Sequence, residues 1–179
     1  DLLLTALGMS LKGWHGNDDS YITLEGHGRE NIGEQYDINQ TVGWFTTAFP
    51  VKILSENNLA ASIRTNKETL RKIPQKGLGY GAVRSFLPSE MNRLKQQVLP
   101  KVSFNYLGQF SASQEANSWT LANQYSGEEI AVKNKSDNVL TVAGRVQDNQ
   151  LHMDVLGSFK QEKVAKIAHD FIESLEAII

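Results

Sequence analysis

The last twenty residues limit the fold more than any other stretch. Val164, Ile167, Ala168, Phe171, Ile172, Leu175 and Ile178 recur at three- and four-residue spacing, which gathers them on one broad side of a helix. Such a stripe is stable only when another layer covers it. A candidate layer lies just upstream. "VLTVAGRV" and "LHMDVLGS" alternate apolar with polar residues and are joined by "QDNQ", the pattern of a β-hairpin.

The rest of the chain supplies further pieces of the same kind. Leu4, Leu7, Leu11 and Trp14 predict an amphipathic helix that stops at "HGNDD". Ser20 to Glu25 reads as a strand, followed by a polar loop from Gly26 to Gln40. "TVGWFTTAFPV" reads as a strand or extended segment interrupted at Pro50, which cannot donate to a central ladder. Asn57 or Asn58 can cap a helix bearing Leu59, Ile63, Leu70 and Ile73, and Pro74 closes it. "GLGYG" is expected to be a tight glycine turn, with short helical material from Ala82 to Val98. "KVSFNYLG" is a strand ending at Gly108, and Gln109 to Asp137 is a long polar connection. The order is helix, strand, strand, helix, helix, strand, hairpin, helix. It predicts an α/β (α+β) sandwich, a mixed β-sheet with helices packed on it.

Composition removes several function classes. At 179 residues the chain is one domain, or one lobe of something larger. A net charge of -2 gives no electrostatic reason to expect nucleic acid or an acidic membrane. No apolar run approaches the roughly 20 residues that span a bilayer. The absence of cysteine excludes disulfides, thiolate metal sites and a cysteine nucleophile, and suits a reducing, cytoplasmic location. The chain begins at Asp1 directly in a helical pattern, and is expected to be a piece of a longer polypeptide.

The chemistry concentrates in "YITLEGHGRE", Tyr21 to Glu30. Glu25 closes a strand beside two glycines that permit close approach. Burial in an apolar cleft would raise its pKa and make it a general base; the alternative is a surface acid at a turn. His27 and Arg29 share its side of an extended chain. They read as supporting groups, the arginine pairing with Glu30, Glu34 or Asp37, because no further histidine or cysteine falls at metal-ligand spacing. "GLGYG" lacks the spacing and the lysine of a phosphate loop. Tyr106, preceded by Asn105, is either a core tyrosine or a phenol facing a cleft, where it could donate to a developing oxyanion. Trp44 and Phe45 are core or tunnel-wall residues. No G-x-S-x-G elbow or H-E-x-x-H motif is present.

Five motifs, "DLLLTALG", "EGHGRE", "TVGWFTTAFPVKI", "PQKGLGYG" and "FNYLG", occur in that order over the first 108 residues. Together they resemble the C-terminal lobe of an epimerization domain of a nonribosomal peptide synthetase, within the condensation-domain superfamily. "EGHGRE" is the element that separates epimerization domains from their condensation-domain relatives. The resemblance implies a chloramphenicol acetyltransferase-like lobe, paired with a second lobe across a tunnel. It implies L-to-D inversion at the α-carbon of an aminoacyl or peptidyl thioester, carried on the 4'-phosphopantetheine arm of a peptidyl carrier protein, with no cofactor or metal bound directly.

The resemblance makes Glu25 the catalytic glutamate and Tyr106 a donor near the reaction centre. It makes His27, Arg29 and Asn105 supporting residues, with Asn105 positioning the tyrosine. The family's "HHxxxDG" motif, which belongs to the N-terminal lobe, does not occur in these 179 residues. The chain is therefore expected to supply half of an active site and to be inactive alone, with that lobe and the carrier protein as its partners. Two alternatives remain open: a condensation domain that forms peptide bonds, and a non-catalytic lobe that docks a carrier protein.

Overall fold

The computed structural model describes residues 1–31, 33, 37–88, 94, 97–110, 124, 127, 131 and 133–179. Its elements run α1 (Leu2–His15), β1 (Asp19–Gly26), β2 (Thr47–Leu54), α2 (Leu59–Arg71), a 3-10 turn (Pro74–Gly77), α3 (Leu78–Phe86), β3 (Val102–Phe110), β4 (Leu140–Gln147), β5 (Gln150–Gly157) and α4 (Gln161–Glu176). The strands form one sheet in the order β2-β1-β3-β4-β5. The central pairs β1–β3 and β3–β4 are parallel, and the outer pairs β1–β2 and β4–β5 are antiparallel. The sheet is mixed, as the sequence predicts. Its three parallel strands all deliver their carboxyl ends to the same side.

Helices α1 and α4 cover the sheet. Leu4, Leu7 and Leu11 of α1 join Ile167 and Phe171 of α4 in one apolar cluster with Ile22, Val51, Phe104 and Val142 from four strands. Ser10 ties the two helices, its hydroxyl donating to the Ile167 carbonyl at 2.8 Å. The apolar stripe on α4 is narrower than its periodicity suggests. Val164, Ile167 and Phe171 are buried, while Ile172 lies on the outer side at 56% exposure.

Local chemistry explains most boundaries. Asn58, not Asn57, caps α2, its side-chain oxygen accepting from the Ala61 N–H at 3.0 Å. The hairpin turns at Asp148 and Asn149, both at positive φ (50° and 61°), the backbone demanded by a tight two-residue connection. Asn66 is a core residue with no signature in the periodicity. Its amide accepts from the Leu54 N–H at 2.8 Å and donates to the Leu54 carbonyl at 2.8 Å and the Thr5 hydroxyl at 3.2 Å, so one buried side chain links α2, β2 and α1.

Three expectations change. β2 begins at Thr47 rather than Thr41 and passes straight through Pro50, which stands opposite Thr23. β2 is an edge strand, where a residue without an N–H is tolerated. "GLGYG" is not a free-standing turn: Gly77 caps α3 at φ 85°, and the other residues lie inside that helix. A Cβ at Gly77 would fall 2.2 Å from the Phe49 ring, which the glycine allows to pack close. α3 itself ends at Phe86, and residues 89–93, 95 and 96 of the helical material expected up to Val98 lie outside the described residues. β3 continues past Gly108 to Phe110 through a register shift between Tyr106 and Gln109. Most of the expected connection from Gln109 to Asp137 lies outside the described residues.

Candidate active site

Along β1 the side chains alternate. Ile22 enters the core, and Thr23 and Glu25 project from the opposite face. β1 runs parallel to β3 with Leu24 beside Phe104, so the next step along both strands sets Glu25 beside Asn105. The Asn105 amide donates to Glu25 Oε2 at 2.9 Å. Neighbouring parallel strands place those two side chains on one face, so the Asn105 amide, expected beside Tyr106 as its positioning group, meets the carboxylate.

Burial raises the Glu25 pKa above the ordinary carboxylate range. It is not a surface acid at a turn, and among the described residues it pairs with no cation. It is a carboxyl group partly withdrawn from water and held by one neutral amide. Glu25, Asn105 and Tyr106 line a single cavity of about 550 Å³ at the carboxyl ends of β1 and β3, with Trp44, Phe45 and Leu107 among its other walls. Clefts outside the carboxyl ends of parallel strands are where open α/β sheets most often bind ligands. Tyr106 is 41% exposed there, so it is not a core tyrosine. Trp44 is 91% exposed, and it and Phe45 are cavity walls rather than core.

His27 and Arg29 also border the cavity, but their polar atoms are engaged elsewhere. The His27 ring accepts from the Arg29 backbone N–H through Nδ1 at 3.0 Å, and its Nε2 lies 3.0 Å from Glu30. Glu30 also meets Lys76 Nζ at 2.9 Å, a link between the motif and the 3-10 turn that nothing in the sequence signals. Arg29 does not pair with Glu30 or Asp37 as expected. Its Nη2 donates to the carbonyls of Thr41 at 2.9 Å and Gly43 at 3.4 Å, its Nη1 donates to the Ile38 carbonyl, and the guanidinium lies 4.2 Å from the centre of the Phe45 ring. Glu34, the third expected partner, lies outside the described residues.

Gly28 shows why this motif needs glycine. It adopts φ 67°, and a Cβ would sit 1.5 Å from the Phe45 carbonyl oxygen. The turn after β1 and the aromatic segment therefore pack backbone against backbone. Among the described residues, the one cluster with metal-ligand geometry is His169, Asp170 and Glu173 on the outside of α4. It includes none of the expected site residues, and Asp170 is already bound by Lys166 at 2.8 Å.

A parallel-centred sheet, helices on it, and a carboxylate in a cleft at the strand ends define an α+β lobe with a ligand-accessible carboxyl group. The family model for the condensation domain matches residues 1–179, and the chain belongs to that family. Its sequence is 34% identical over 185 residues to tyrocidine synthase 2 of Brevibacillus parabrevis, covering all of this chain and 5% of that protein. It is 35% identical over 194 residues to gramicidin S synthase 1 of Brevibacillus brevis, covering all of this chain and 18% of that protein.

Among solved structures, the epimerization domain from the third module of tyrocidine synthetase B superposes with a TM-score of 0.88 at 33% identity, over 99% of this chain and 41% of that one. The starter condensation domain of rhizomide synthetase superposes at 0.63 with 13% identity over 99% of this chain and 41% of that one, a likeness of fold alone. The chain thus spans a small fraction of the synthetases it matches and under half of the solved epimerization domain. Among the described residues, no helix is long and apolar enough to cross a membrane.

Proposed function

We propose that this chain is the lobe of an epimerization domain that presents the acid/base carboxylate to a carrier-bound thioester. The observation that carries the reading is Glu25 itself: a desolvated carboxyl at the end of β1, held by Asn105, in one cavity with Tyr106. A thioester acidifies the proton on its α-carbon. The Glu25 carboxylate takes that proton, and the electrons of the C–H bond move to the thioester oxygen to give a planar enolate. A raised pKa suits the group to this exchange, because the ideal acid/base pKa lies near the operating pH. In this reading Tyr106 donates to the oxygen as its charge develops. Return of a proton to the other face of the α-carbon gives the inverted centre. The resemblance assigns the group on that face to the "HHxxxDG" histidine of a second lobe.

The substrate in this reading is an aminoacyl or peptidyl group on a 4'-phosphopantetheine arm, and the partner is a peptidyl carrier protein. Support comes from the motif order, from the likeness to a solved epimerization domain at 33% identity, and from relatives named as synthases of tyrocidine and gramicidin S.

The test is α-proton exchange in deuterated water, using the full polypeptide that carries these residues and an aminoacyl-loaded carrier. Glu25→Gln keeps the size and the Asn105 contact but cannot take the proton. Exchange is expected to fall about 10²–10⁴-fold, the usual contribution of a positioned acid/base group. Exchange at the wild-type rate in Glu25→Gln overturns the role of Glu25. Amide formation between two loaded carriers without exchange would assign the chain to peptide-bond formation instead, and carrier binding with no turnover at all would make it a docking lobe.

A further inference from the structure

Arg29 lies four residues beyond the reacting carboxylate, yet its guanidinium does not serve that carboxylate. It gathers three backbone carbonyls, those of Ile38, Thr41 and Gly43, and stacks on Phe45. Within 38–45 the one backbone–backbone hydrogen bond among the described residues runs from the Thr41 N–H to the Ile38 carbonyl, at 3.1 Å. The segment has little else of its own to hold its shape. Trp44, at its tip, is 91% exposed and still forms a wall of the cleft.

We propose that Arg29 is a positioning residue that clamps segment 38–45, so that Trp44 and Phe45 form a fixed wall against which the acyl group seats. The part concerning the acyl group rests on the epimerase reading above; the clamp does not. Two features favour arginine here. A planar guanidinium carries five donors in a fixed fork and can reach several carbonyls at once, while its face rests on an aromatic ring. Lysine offers one compact ammonium and cannot span the same set. Gly28 packs closely on the Phe45 carbonyl, so the backbone of the motif and its arginine both hold the segment. A guanidinium acting directly on Glu25 would pull that carboxyl's pKa down, and the direction is the opposite, with burial as the cause.

Two measurements on Arg29→Met and Arg29→Lys test this. Hydrogen exchange followed by mass spectrometry on the 179-residue chain is expected to show the hydrogen-bonded amides of 38–45, those of Asn39 and Thr41, exchanging faster by on the order of tenfold in both variants, with β1 still protected. In the full polypeptide, KM for the loaded carrier is expected to rise on the order of tenfold, while the pH midpoint of kcat/KM stays in place. Unchanged exchange in 38–45 for Arg29→Met overturns the clamp, as does full rescue by lysine, which would make charge rather than the fork the active feature. A shifted pH midpoint with 38–45 still protected would assign Arg29 to the carboxylate instead. The exchange arm needs no substrate, so the clamp and the epimerase reading can fail separately.

Discussion

Phe171 and Trp44 are both large aromatic residues, and they sit in opposite surroundings. Phe171 is 2% exposed, pressed by α4 into the apolar cluster over the middle of the sheet. Trp44 is 91% exposed, on a loop at the sheet's carboxyl end. In the first region apolar side chains are covered, and buried polar ones such as Ser10 and Asn66 are bonded to backbone. In the second, aromatic rings stand open, a carboxyl group is drawn partly out of water, and order comes from a cation on carbonyls. The middle of the sheet supplies stability; its carboxyl end holds groups whose arrangement a ligand can exploit. β1 and β3 serve both, because each enters the core with Ile22 or Phe104 and lines the cleft with the residues that follow.

The sharpest way to break this contrast is to truncate the same kind of side chain in each region. Phe171→Ala is expected to lower the unfolding free energy by about 3–5 kcal/mol, the range for buried phenylalanine. Trp44→Ala is expected to change it by under about 0.5 kcal/mol, as at exposed positions generally. Denaturant unfolding of both variants checks the pair. Comparable losses would mean that the cleft loop is part of the core, and that the division between the two regions is false.

A smaller effect tests the polar members of the core. Asn66→Ala leaves the Leu54 N–H and carbonyl without their side-chain partner at 1% exposure of the asparagine itself. Each orphaned group costs about 1–3 kcal/mol when water cannot replace the partner. A lowered midpoint at unchanged m-value is expected in urea unfolding. No change would show that water reaches Leu54 at the edge of the sheet.

Legibility in the sequence follows the same division. The helices α1 and α4 and the β4–β5 hairpin are readable because one side of each is buried, and burial writes a period of 3.6 or 2 into the residues. Asn66 is not readable, since a single polar residue inside a helix has no period and its partners are backbone atoms 12 residues away. Pro50 reads wrongly as an interruption because edge position is a property of the assembled sheet. "GLGYG" reads wrongly as a turn because α3 uses Gly77 as its cap and carries two more glycines within its first four residues.

In the site, motif order singles out Glu25 and Tyr106, and the cavity brings the two together. Pairings are less accessible. Asn105 reaches Glu25 through strand register, and Arg29 reaches backbone carbonyls, which any residue type can supply. Side chains that recognise backbone leave no complementary residue to find.

The smallest expected effect concerns the energetic cost of the cleft and has a definite sign. Burial raises the Glu25 pKa in the folded chain, so the native state binds this proton more tightly than the unfolded state does. Below the unfolded carboxylate value of about 4.3 both states are protonated and the group is neutral toward stability. As pH rises from there to the raised native value, the unfolded chain releases the proton first, and stability falls. Above the native value the penalty is complete. Glu25→Gln cannot ionise and keeps an acceptor for Asn105. Its stability relative to wild type is therefore expected to be level in acid, to rise with pH, and to plateau above the raised native value. The gain should stay under about 1 kcal/mol, because the carboxyl is partly open to water and screened. Urea unfolding of both proteins from about pH 3.5 to 8 spans the unfolded carboxylate value and measures it. A difference that instead falls with pH would mean that the folded chain favours the carboxylate. That would place a cation near Glu25 and return this end of the sheet to the ordinary rule of paired charges.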